Sequence, residues 1–309
     1  MKRSLLFALE LTLLVSPRLI AQEKKKDVAP KTEPTAANVA YGKHPRQVID
    51  FYQAKSDKPT PLVLCIHGGG WRGGDKAGYA NGAKQYLDAG ISVAAINYRY
   101  VQQGVEEKVV PPVKAPLHDA ARALQFIRSK AGEWNLDKKK VGATGGSAGA
   151  CTSLWLAFHD DMADPKSEDP IARESTRLYC AAVSGAQVSL DPKELREWIP
   201  NYSYGAHAFG LANFEELTAK REEVMKWIKE YSPIEHVSRD DPPIFLEYGG
   251  KGPPVVGEKV ADPTHSSTMG LKLAERLKAN SVEAILVYPG VENPPYKNSA
   301  AFLIERLKE

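Results

Sequence analysis

Short unbroken apolar runs alternate along this chain with stretches whose apolar residues recur at helical spacing. Leu62-Val63-Leu64-Cys65-Ile66 is a run of strand length without a polar face, the pattern of a strand buried on both sides. Segments 91–97, 140–144, 178–183, 243–248 and 283–288 read in the same way. Between them the spacing predicts helices over 76–89 and 116–131 and from Ser147 onward. Pro116 suits the first turn of its helix, where a missing N–H leaves no bond unmade. A later helix places Met269, Leu273 and Leu277 on one face, and a final one does so with Ala300, Leu303, Ile304 and Leu307. Such alternation predicts an α/β fold, a mostly parallel sheet with helices on both faces. Residues 46–52 alternate in character and predict an antiparallel strand entering the sheet. Residues 185–232 lack this regularity and are rich in Trp, Tyr, Asn and Pro. We read them as a small cap inserted between two strands. The last strands must return to the same sheet, so 41–309 is expected to form one capped domain.

The N-terminal region has a different pattern. Lys2-Arg3 precedes an apolar stretch from Ser4 to Val15 that only Glu10 interrupts, and Ala21 suits a cleavage site. These features predict a signal peptide over 1–21 and a secreted or periplasmic protein. The stretch is too short to span a bilayer. Residues 22–40, rich in Lys, Pro, Glu, Thr and Ala, read as a solvated linker. The chain has 309 residues and a net charge of +3, of which +2 lies in the first 21. The near-neutral remainder gives no electrostatic reason to expect nucleic acid or an anionic membrane as a partner. Three cysteines make no disulfide framework, and Cys65, Cys151 and Cys180 read as buried apolar residues. No Cys/His cluster has metal-ligand spacing, so neither metal nor organic cofactor is expected.

Two motifs carry chemistry. Gly145-Gly146-Ser147-Ala148-Gly149 matches G-x-S-x-G between a strand and a helix. A sharp strand-to-helix turn strains the serine and exposes its hydroxyl beside a helix N-terminus. Glycines two before and two after it remove side chains that would collide. His67-Gly68-Gly69-Gly70-Trp71 follows the 62–66 run. Glycine amides can closely approach the oxyanion of an acyl-transfer transition state, so Gly69 and Gly70 are candidate donors together with Ala148. Trp71 and His207 are candidates for the substrate pocket.

On these residues the chain resembles the α/β-hydrolases of the carboxylesterase and lipase type. The HGGGW run followed by Gly74-Asp75-Lys76 is particularly similar to secreted bacterial acetyl xylan/feruloyl esterase-like proteins. Tyr41-Gly42, Arg46-Gln47-Val48, His118-Asp119, Ser232-Pro233-Ile234 and Asp241-Pro242-Pro243 extend the resemblance over 41–309. It implies a serine nucleophile, an oxyanion hole, an acid after the penultimate strand and a histidine after the last. It assigns the acid to Asp262, in Asp262-Pro263 after an insertion over 251–261, with Glu247 the weaker alternative.

The histidine breaks the pattern. The turn after the last strand reads Pro289-Gly290-Val291-Glu292-Asn293, with asparagine in the histidine slot and no histidine after His265. An amide cannot take the serine proton. His265, three residues beyond Asp262, is the leading substitute, because triads are defined by geometry rather than order. His118 and Asp119 are expected to buttress the core. His44, His159 and His236 have no supporting context. Two readings stand. One is an exported serine ester hydrolase acting on a small-molecule or polysaccharide ester, with acetylated or feruloylated polysaccharides suggested by the resemblance. The other is a weak or inactive relative that binds a ligand, motivated by Asn293. Oligomeric state is left open.

Overall fold

The computed structural model describes residues 31–250 and 252–309. The expected signal peptide and residues 22–30 of the expected linker lie outside the described residues. An eight-stranded sheet is built from β1 (Ala36–Ala40), β2 (Val48–Tyr52), β3 (Thr60–Ile66), β4 (Ser92–Ile96), β5 (Leu136–Gly146), β6 (Cys180–Ser184), β7 (Ile244–Glu247) and β8 (Ala284–Val287). Their spatial order is β1-β2-β4-β3-β5-β6-β7-β8. β1 and β2 pair antiparallel, as do β2 and β4, and every other pairing is parallel. This is the expected α/β-hydrolase sheet, with 46–52 supplying the antiparallel entry strand.

The helices are α1 (Ala80–Asp88), α2 (Val101–Glu106), α3 (Lys114–Ser129), α4 (Ala148–Phe158), α5 (Pro192–Trp198), α6 (Phe214–Ala219), α7 (Arg221–Tyr231), α8 (Ser267–Ala279) and α9 (Ser299–Lys308). Alternate residues of β3 divide the core. Leu62, Leu64 and Ile66 pack with α3, α4 and α8 on one face. Val63 and Cys65 pack with α1 and α9 on the other, where Phe302, Leu303 and Leu307 meet them. Both faces are covered, which is why β3 reads as a continuous apolar run. Cys65, Cys151 and Cys180 are buried free thiols.

Three expectations change. The linker was expected to reach residue 40, yet 36–40 is a strand. Its sequence AANVA has no apolar alternation of its own, and β2 supplies the pairing. The helix expected over 76–89 is a 3-10 turn, Lys76–Tyr79, followed by α1. The short strand expected at 140–144 extends over Leu136–Gly146, because β3 pairs along it despite three consecutive lysines. Between β6 and β7 the chain forms α5, α6 and α7, the segment read as a cap. Among the described residues no helix is long and apolar enough to cross a membrane.

Candidate active site

β5 ends at Gly146 and α4 begins at Ala148, so Ser147 alone makes the turn. Its backbone sits at φ 53° and ψ −121°, a region non-glycine residues rarely occupy. The flanking glycines are explained by close approach. A methyl on Gly145 would strike the Gly149 backbone, and one on Gly149 would strike the Ile66 carbonyl at the end of β3. The amide of Ser147 donates to the Ser184 carbonyl at 2.9 Å, tying the elbow to β6.

His265 completes the contact that Asn293 cannot make. Its Nε2 lies 2.9 Å from Ser147 Oγ, and its Nδ1 lies 2.8 Å from Asp262 Oδ2. Asp262 also caps the 3-10 turn Pro263–His265, accepting from the His265 amide through Oδ1 at 3.3 Å. One carboxylate therefore holds both the backbone and the ring of the histidine. The side chains of His265 and Asp262 are 40% and 63% exposed, so the pair stands at an open mouth. Asn293 is exposed in a turn with φ 49°. Glu247, the alternative acid, is committed elsewhere. Its Oε2 accepts from the Ser299 hydroxyl at 2.9 Å and the Ser299 amide at 3.2 Å, where α9 begins.

Two residues without a motif support this geometry. Gln187 is 1% exposed. It donates through Nε2 to the Thr264 carbonyl at 2.8 Å and fastens the turn that carries His265. Gly185 has φ 58°, and a Cβ there would lie 3.3 Å from His265 Cδ2. Its bare α-carbon lets the ring reach Ser147.

The glycine loop lies across the cavity. The amides of Gly68, Gly69, Gly70 and Ala148 donate to no acceptor among the described residues. Gly68 lines the cavity beside Ser147, whereas Gly70 packs against Tyr204 and His207. Buried hydrogen bonds fix the loop. Tyr98 Oη donates to the His67 carbonyl at 2.6 Å, and the His67 and Tyr98 rings stack at 4.2 Å. His67 Nδ1 donates to the Gly68 carbonyl at 2.8 Å, which leaves Nε2 facing the Arg46 guanidinium at 3.4 Å. Burial lowers the His67 pKa and favours this neutral state. In the Gly74-Asp75-Lys76 motif, Lys76 forms a buried ion pair with Asp50 at 2.8 Å, and Asp75 accepts from Asn97 at 2.7 Å.

Two pocket assignments are corrected. Trp71 is 1% exposed and donates through its indole to Thr152 Oγ1 at 3.0 Å. Its large apolar ring is worth more in the core than at a wet cavity. His207 donates through Nε2 to the Gly70 carbonyl at 2.9 Å. It braces the loop rather than lining the cavity. Burial, aided by Arg72, pushes its pKa down to about 4. Asp119 is buried and paired to Arg99, while the half-buried His118 packs against the buried Trp155.

The cavity at Ser147 has a volume of about 570 Å³ and opens beyond the carboxyl ends of β3, β5 and β6. A second cavity, about 670 Å³, lies against the other side of Asp262 and His265, walled by Pro253, Val255 and Val260. This insertion docks on the segment after α5. Asn201 accepts from the Val260 amide at 3.1 Å and donates to the Val260 carbonyl at 2.8 Å.

A family model described as BD-FAE matches residues 49–262, a span that includes Ser147 and ends at Asp262. A probable carboxylic ester hydrolase, LipM, of Mycobacterium tuberculosis is 27% identical over 69% of this chain and 47% of its own length. A probable isoprenylcysteine alpha-carbonyl methylesterase, ICMEL2, of Arabidopsis thaliana is 30% identical over 42% of this chain and 30% of its own. The chain spans about half, or less, of the length of these curated relatives. Among solved structures, a truncated carbohydrate esterase from gut microbiota superposes with a TM-score of 0.68 at 19% identity, covering 91% of this chain and 99% of that one. Esterase 2 of Thermogutta terrifontis gives 0.60 at 23% identity, covering 82% and 80%. At these identities the structures speak for the fold.

Proposed function

Because this chain belongs to the BD-FAE family, we propose that it is an exported serine ester hydrolase whose base is His265. One observation carries the reading. Ser147 Oγ, His265 and Asp262 form an unbroken hydrogen-bonded chain, with links of 2.9 and 2.8 Å. In the reaction Ser147 Oγ attacks the ester carbonyl while its proton passes to His265 Nε2. Asp262 accepts from Nδ1–H, fixes the tautomer and stabilises the imidazolium. The amides of Gly69, Gly70 and Ala148 are the donors proposed for the developing oxyanion. The imidazolium then protonates the leaving alcohol oxygen, leaving an acyl-Ser147 ester. Water, deprotonated by the same nitrogen, attacks that ester; the imidazolium returns the proton to the departing Ser147 Oγ, and the acid is released.

Asn293 motivated a ligand-binding reading. His265 supplies the base that the asparagine lacks, so the catalytic reading is favoured. Open access to the dyad suits a bulky ester, and acetylated or feruloylated polysaccharides are the substrates we propose from the resemblance. The basic and apolar segment at 1–21 supports export, with the mature chain starting at Gln22.

The test is hydrolysis of p-nitrophenyl acetate by the purified chain. Turnover is expected, with a fall of roughly ten-thousand-fold in kcat for Ser147→Ala. Equal rates in the wild type and the variant would overturn the reading.

A further inference from the structure

α4 carries Ser147 at its N-terminal cap and His159 at its C-terminal cap. Twelve helical steps of about 1.5 Å place these ends roughly 18 Å apart. At the far end the segment leaving the cap brings in Glu230, near the end of α7, and His236, at the end of the turn Pro233–His236. One candidate ligand atom from each of the three lies within 4.8 Å of the other two.

Hydrogen bonds set the tautomers. His159 Nδ1 is 2.8 Å from the Asp160 carbonyl, which can only accept, so Nδ1 carries the proton. His236 Nε2 donates to the Glu230 carbonyl at 2.7 Å for the same reason. Each neutral ring therefore keeps one nitrogen with a free lone pair. That of His159 is Nε2, and it faces Glu230 Oε1 at 3.3 Å. Two electron-rich atoms at that separation need a positive centre between them, either a second ring proton or a metal cation.

Three features favour the metal. Two ligands bound at 2.0–2.1 Å to a tetrahedral zinc stand about 3.4 Å apart, close to the spacing seen. Metal-binding histidines typically anchor their other N–H on a carbonyl or carboxylate, as both rings do here. The cluster is also held in place. Trp155 donates through its indole to the Glu230 carbonyl at 2.8 Å, and the His159 and His236 rings lie 4.8 Å apart.

We propose that His159, Glu230 and His236 bind one divalent transition-metal ion of the zinc type, with water completing the shell. Two imidazoles and one carboxylate suit zinc better than magnesium or calcium, which favour oxygen ligands. The ion fastens the end of the nucleophile helix to the exit of the cap. Its role is structural, since Ser147 lies at the opposite end of α4. Sequence spacing hid the site, because 71 residues separate His159 from Glu230.

The full chain, stripped with a chelator, is titrated with zinc sulfate by calorimetry and melted with and without zinc. The His265→Ala variant is run in parallel, because Asp262 and His265 offer a competing pair. Both proteins are expected to bind one equivalent with Kd below about 10 μM and to gain about 5 °C in Tm at hundredfold excess. Magnesium should give no gain. His159→Gln, His236→Gln and Glu230→Gln should each weaken binding at least tenfold. The proposal is overturned by weaker wild-type binding, as an imidazolium–carboxylate pair alone would give, by loss of binding in His265→Ala, or by an equal gain with magnesium. It is also overturned if fewer than two of the three variants weaken binding tenfold. If a histidine variant fails to fold, Glu230→Gln decides. Ester turnover by the metal-free chain is expected to stand, so the two proposals fail separately.

Discussion

Ser147 is held in a left-handed conformation that costs an L-residue roughly 1–3 kcal/mol. Its neighbours sustain that strain, through the Ser184 carbonyl on one side and the close approach of Gly149 to Ile66 on the other. In the proposed mechanism the proton path depends on a single ring, and the slot beyond β8 is occupied by an exposed asparagine. His265→Ala is therefore expected to lower kcat roughly 1,000-fold or more. Asn293→Ala should leave it within about twofold, because this exposed side chain lies outside the Ser147–His265–Asp262 hydrogen-bonded chain. Both follow from steady-state kinetics on p-nitrophenyl acetate. A large loss in Asn293→Ala with retained activity in His265→Ala would reverse the assignment of the base.

At the scale of elements, the site is where three pieces converge: the elbow between β5 and α4, the glycine loop after β3, and the 3-10 turn Pro263–His265. The first two follow strands of the sheet and inherit their rigidity. The third sits on an exposed loop and has to be fastened from beneath. Gln187 does this through the Thr264 carbonyl. Gln187→Met keeps the volume and removes the donor. It is expected to reduce kcat about tenfold or more with KM little changed, since the ring moves while the cavity remains. A Tm within a few degrees of the wild type would separate this from unfolding. An unchanged kcat would show that the turn holds itself.

For the whole molecule, two histidines outside the Ser147–His265–Asp262 chain couple stability to pH. Burial pushes His118 and His207 down to about 4 from an ordinary 6.5. Between those values the unfolded chain binds more protons than the folded one. Their stabilising effect is thus complete above pH 6.5 and is lost as the pH falls toward 4. At pH 4.5 the loss is about 2 kcal/mol for each, after allowance for partial exposure. Thermal melts should show Tm falling across this window, and His118→Gln with His207→Gln should flatten the fall. A wild-type curve that is flat from pH 7 to 4.5 would contradict the burial argument.

The sheet, the elbow and the glycine loop were legible along the chain because their signals are local. An apolar run of strand length, a helical repeat and a glycine two positions from a serine each act within one or two turns of backbone. By itself the sequence also placed Asp262 and His265 within one turn of each other, and marked the missing histidine at Asn293. Other features depended on pairing across the fold. β1 has no apolar alternation and becomes a strand because β2 lies beside it. Trp71 reads as a pocket aromatic until Thr152, 81 residues away, takes its indole N–H. Tyr98, Gln187 and Gly185 carry no motif, since each acts on a group distant in sequence. That His265 comes within 2.9 Å of Ser147, across 118 residues, was decided by the tertiary structure. The sheet brings the ends of β5, β6 and β7 together, and only there can a loop after β7 reach a turn after β5.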